Sequence, residues 1–74
     1  MNNILITRNI RADIDRLEQV EGELLRRGAR SARVDTEGRI TVGVIARSHQ
    51  DALQLVERLL AKVEEVTQTP IAEG

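Results

Sequence analysis

Apolar residues recur along this chain with two periods, and the switches between them mark out the elements. Asn3-Ile4-Leu5-Ile6-Thr7 is short, rich in β-branched residues and broken by Arg8-Asn9, which predicts a first strand. From about Arg11 to Arg27 the apolar positions are Ile14, Leu17, Val20, Leu24 and Leu25, three or four apart, as on one face of a helix. Asp13 and Asp15 stand in its first turns and Arg26 and Arg27 in its last, where each sign suits the helix dipole. Gly28 follows as the expected C′ residue. Gly22 is the odd member, either allowing a close approach or simply tolerated.

The period then changes to two. Ala32, Val34, Ile40, Val42, Val44 and Ala46 alternate with Ser31, Arg33, Asp35, Arg39, Thr41, Gly43, Ile45 and Arg47, which predicts two half-buried strands. Thr36-Glu37-Gly38 between them predicts a hairpin with Gly at positive φ. Ser48-His49-Gln50-Asp51 fits a capping box, and Ala52, Leu55, Val56, Leu59, Leu60 and Val63 give the helix after it one apolar face. Glu64 to Thr69 reads as a last strand stopped by Pro70, with residues 71–74 a disordered tail. The expected fold class is α+β: a ferredoxin-like β-α-β-β-α-β sandwich, two helices on one face of a four-stranded antiparallel sheet, as a single domain over residues 1–70.

Composition narrows what such a domain does. At 74 residues it buries only about 60% of the surface its unfolded chain exposes. There is no Cys, a single His and no aromatic residue, so disulfides and a structural zinc site are not available as supports. The core must be built from aliphatics, which fill less volume than rings. Self-association, with a dimer as the simplest case, is the expected support. Net charge is −1, which favours neither nucleic acid nor an anionic membrane. No apolar run reaches the ~20 residues of a membrane span, and the start MNNILITRNI has no signal-peptide core, so a cytoplasmic setting with no membrane partner is expected.

Alternation sends Leu5, Thr7, Arg33, Asp35, Arg39, Thr41, Gly43, Ile45 and Arg47 to the sheet face away from the helices. Leu5 and Ile45 are apolar on an otherwise polar surface and are the expected interface residues. Arg33, Arg39 and Arg47 are a candidate phosphate-binding set, but stacking of bases is excluded without aromatics, and Asp35 and Glu37 share the hairpin. Nucleic acid is therefore the weakest of the partners considered. His49 has no evident nucleophile or orienting carboxylate beside it, and Ser48 is committed to the helix cap. The expectation is a non-catalytic protein with no metal and no cofactor.

The stretches LLRRGARSARV after the first helix, GRITVGVIA, and LVERLLAKVEEVTQT near the end together resemble an ACT domain, over Ile4 to Val66. In size and layout the chain is similar to the small regulatory subunits of acetohydroxyacid synthase. The resemblance implies a regulatory module that senses an amino acid or small anion and modulates a partner protein. It also implies a ligand placed against the loop after the first strand, at Thr7, Asn9, Arg11 and Ala12. That loop has neither the Gly nor the Pro usual in amino-acid-binding members, which leaves the Asn9 amide and the amides near Arg11 and Ala12 to meet a carboxylate. A structural or assembly protein of the same fold, with no ligand, is the alternative.

Overall fold

The computed structural model describes residues 1–69 and Ile71; Pro70, residues 72–74 and the side chain of Ile14 lie outside the described residues. Five elements follow in the order β1 (Asn2–Asn9), α1 (Ile14–Arg26), β2 (Ser31–Val34), β3 (Arg39–Ala46) and α2 (His49–Thr67). β3 is the central strand. It pairs antiparallel with β1, Asn2 opposite Ala46 through Asn9 opposite Arg39, and with β2, Ser31 opposite Gly43 through Val34 opposite Ile40. The sheet is three-stranded in the order β1-β3-β2.

The helices form where the periodicity puts them, with sharper ends. Asp13 is the N-cap of α1, its carboxylate accepting from the Arg16 N–H at 3.0 Å, so the helix starts at Ile14 rather than near Arg11. At the other end Gly28 takes φ +110. Its N–H donates to the Leu25 carbonyl at 3.3 Å, and the Ala29 N–H donates to the Leu24 carbonyl at 3.0 Å. These two bonds form a Schellman motif and satisfy carbonyls the helix leaves open. Glu23 pairs with both Arg27 and Arg26, at 3.2 and 3.3 Å. Ser48 caps α2, its hydroxyl accepting from the Asp51 N–H at 3.2 Å. Nothing lies within 4 Å of where a Cβ on Gly22 would be, so this glycine accommodates no close neighbour.

The strand expected over Glu64–Thr69 is a correction: residues 64–67 complete α2, and the described residues hold three strands, not four. β-branched Val66, Thr67 and Thr69 suggest a strand, but burial continues at helical spacing through Val56, Leu60, Val63 and Thr67. The Thr67 hydroxyl donates back to the Val63 carbonyl at 2.7 Å, which lets a polar residue end the buried stripe. Arg16 then reaches across from α1 and donates to the Thr67 carbonyl at 2.8 Å, and Gln68 turns left-handed to end the helix. Ile71, expected in a disordered tail, makes an isolated antiparallel bridge with Ile10 and packs against the core.

One sheet face meets both helices. Ile6, Ala32, Ile40, Val42, Val44 and Ala46 from the strands are buried in one cluster with Val20 and Leu24 of α1 and Ala52, Val56, Leu60 and Val63 of α2. The core is wholly aliphatic, and no buried side-chain polar atom among the described residues lacks a hydrogen-bond partner.

Candidate functional site

The surfaces left over are the open sheet face, the outer edges of β1 and β2, the loop between β1 and α1, and a groove at one end of the sheet. On the open face Leu5 lies opposite Gly43, and Asn3 lies opposite Ile45. Leu5 and Ile45 are thus diagonal neighbours on one face, 58% and 42% exposed. Gly43 explains how the face is surfaced. A Cβ there would collide with the Ser31 hydroxyl and lie 3.0 Å from Leu5 Cδ2 and 3.3 Å from Asn3 Oδ1. Without one, these three side chains fold down over the central strand and bury its backbone. Beside them the Thr7 and Thr41 hydroxyls bond to each other at 3.0 Å.

Of the arginines proposed as a basic surface, the register makes Arg33 and Arg39 diagonal neighbours on β2 and β3 but leaves Arg47 apart. Arg39 opens β3 and Arg47 follows its end, roughly 26 Å apart at strand rise. Arg39 is neutralised by Asp35 at 3.3 Å and by a close pair with Glu37. Arg33 is exposed on β2 opposite Thr41. Asp35 shapes the hairpin: one carboxylate oxygen accepts from the N–H groups of Glu37 and Arg39, both at 2.9 Å. The Arg39 N–H above all, with the Glu37 N–H and the guanidinium, holds the Asp35 pKa below its ordinary value.

In the loop after β1 the four expected ligand residues are differently employed. Thr7 is bonded to Thr41, Asn9 pairs with Arg39 at the strand end, Arg11 is exposed, and Ala12 packs on the core. Asp13 takes the Arg16 N–H at the helix start, and Asp15 adds a second negative charge in the first turn. Electrostatics at this helix start disfavour an anion. His49 is exposed at the first position of α2. Among the described residues no group of three or more His, Asp and Glu is placed to hold a metal, and no helix is long and apolar enough to cross a membrane.

Two features were not foreseen. An open groove of about 470 Å³ lies where α1 ends, between the Gly28-Ala29-Arg30 turn and Val44, Ile45, Leu55 and Leu59, with Arg27 on its rim. Its signal in the sequence is the extra breadth of the α2 apolar face at Leu55, which is 41% exposed. The second is the outer edge of β1. The Ile10 N–H donates to the Gly38 carbonyl at 2.6 Å, in line with the β1–β3 pairing. Backbone direction alternates along an antiparallel strand, so even-numbered residues of β1 bond toward β3. The N–H and C=O groups of Asn3, Leu5, Thr7 and Asn9 therefore point outward. Among the described residues only Ile71 meets this side, at Ile10 beyond the strand.

The fold and these surfaces define a small α+β domain with a three-stranded antiparallel sheet covered by two helices on one face. No protein-family model matches the chain, and neither a curated protein nor a solved structure matches it.

Proposed function

We propose that the chain is a small non-catalytic interaction module that works as a dimer and modulates a partner protein. The observation that carries this reading is the outer edge of the eight-residue strand β1, beside which no strand lies among the described residues. Soluble proteins blunt such edges with Lys, Pro or bulges, or by shortening or covering the strand, because unpaired backbone groups recruit another strand. β1 has no Lys or Pro, pairs residue for residue with β3, and carries one charged side chain, Arg8, whose charge is met by Glu57 of α2 at 3.9 Å.

Among the described residues the order β1-β3-β2 leaves a place beside β1, which a strand of another chain would fill. The sequence resemblance to ACT domains contributes the regulatory half of the reading. Interaction is favoured over small-anion sensing because Asp13 and Asp15 surround the helix start where an anion would bind. The exposed pair Leu5 and Ile45 lies next to the same edge and extends the contact surface.

Thermal unfolding against a panel of amino acids and small anions, with native mass recorded on the same samples, tests this reading. The expected result is a mass above that of one chain and no selective shift. A ligand at 100 times its Kd would add about 2.7 kcal/mol, several degrees in a domain of this size. Such a shift in a chain that stays monomeric would replace the interaction module with a small-molecule binder.

A further inference from the structure

The outer edge of β1, paired with no strand among the described residues, has a sequence that fits itself. This inference rests on the interaction reading above and names the partner and the register. In an antiparallel seam, opposed residues point to the same side of the sheet, and only outward-directed backbone groups bond across it. In β1 the outward groups belong to the odd-numbered residues. Read outward from Leu5, the strand gives Ile4 and Ile6, then Asn3 and Thr7, then Asn2 and Arg8. A two-fold axis through Leu5 therefore sets aliphatic against aliphatic and polar against polar. The geometry points to a homodimer in which β1 pairs antiparallel with β1 of a second copy about Leu5, so that one sheet of six strands runs through both.

The hydrogen-bonding phase and the charges agree on that register. Leu5 faces Leu5 of the second copy, and Asn3 faces Thr7, as hydrogen-bonded pairs made from the outward groups. Ile4 faces Ile6 in the intervening pairs, where side chains approach most closely. Arg8 meets the neutral Asn2, so no like charges oppose each other. An axis at Ile6 would set Arg8 against Ile4 and draw on Ile10, whose outer side is met by Ile71. An axis at Ile4 shortens the seam by removing Thr7 from its Asn3 partner. The other sheet edge is a poorer candidate: β2 has four residues, with Arg33 exposed among them and Glu18, Glu21 and Asp35 lining a second groove between α1 and the end of β2. The β1 contact is isologous and closes on itself, so it ends at two copies.

Three variants test the seam in the full chain. Leu5→Pro removes an N–H that faces outward and so spares the β1–β3 ladder. It deletes both bonds at the axis and is expected to weaken association ~10- to 100-fold. Leu5→Arg places two like charges at the axis without touching the core and is expected to do the same, with circular dichroism checking the fold of both. Leu5→Cys, the sole cysteine in the chain, is expected to oxidise to a disulfide-linked dimer, since hydrogen-bonded pairs sit about 5.5 Å apart at Cα. Asn3→Cys should cross-link with Thr7→Cys but not with itself, its own copy lying roughly 13 Å away along the strand. A folded Leu5→Pro or Leu5→Arg chain that stays dimeric, or Leu5→Cys that does not cross-link, overturns the β1 seam while the interaction reading stands on a different surface. A wild-type chain that is monomeric at every concentration overturns the seam outright. If that monomer also shifts with a small ligand, the interaction reading falls separately.

Discussion

Leu24→Ala is expected to lower the unfolding midpoint by at least about 10 °C. Leu24 is among the largest fully buried side chains of the described residues, with no exposed surface, between α1 and the sheet. Truncating a buried Leu costs about 2–5 kcal/mol, through lost transfer free energy and the cavity left behind. A chain of 74 residues has roughly 4–11 kcal/mol of stability in all. The aliphatic core has no ring to swing into the gap, so relaxation recovers little. The neighbouring Leu25→Ala is the control: Leu25 is 46% exposed and should cost a small fraction as much. Thermal or urea unfolding of both variants checks the contrast, and equal losses would mean that α1 does not seat on the sheet through this face.

Gly38→Ala should destabilise by about 2–3 kcal/mol, from two separable causes. Gly38 holds φ +82, a left-handed conformation that costs an L-residue about 1–2 kcal/mol. In addition, a Cβ there would stand 2.9 Å from the Ile10 carbonyl oxygen. That oxygen belongs to backbone fixed by the Ile10 N–H bond to the Gly38 carbonyl, so it has little room to yield. Two other glycines separate the causes. Gly28 has φ +110 with nothing within 4 Å, so Gly28→Ala should show the conformational cost alone. Gly22 is exposed inside α1 with open space around it, so Gly22→Ala should stabilise by about 1 kcal/mol. Urea midpoints for the three variants should fall in that order, with Gly22→Ala above wild type.

These contrasts show which parts of the molecule the sequence makes legible. Alternation at Ile40, Val42 and Val44, helical spacing at Val20 and Leu24, and Gly at positions 28 and 38 are local signals, and local geometry obeys them. The end of α2 was not legible, because Val66, Thr67 and Thr69 look like strand by residue type. What decides is tertiary: Val63 and Thr67 are buried, and Arg16, 51 residues away from Thr67, binds the last carbonyls. The candidate site depends on that same error. A strand over 64–69 would have paired with β1, whereas with a helix through Thr67 no strand among the described residues lies beside it. Leu5 and Ile45 could be read as exposed from alternation alone. The role of Asp13 as the α1 cap depends on where the helix starts, which periodicity places only to within a turn.

The open edge of β1 is the central claim, and amide hydrogen exchange of residues 3–7 at low and high protein concentration tests it most directly. The N–H groups of Asn3, Leu5 and Thr7 point away from the sheet, while those of Ile4 and Ile6 are bonded to β3 and serve as internal controls. The account predicts that exchange at Asn3, Leu5 and Thr7 slows as concentration rises, with Ile4 and Ile6 protected throughout. Fast exchange at the three odd positions at every concentration would contradict it, because the edge would then be open to water and not to another strand.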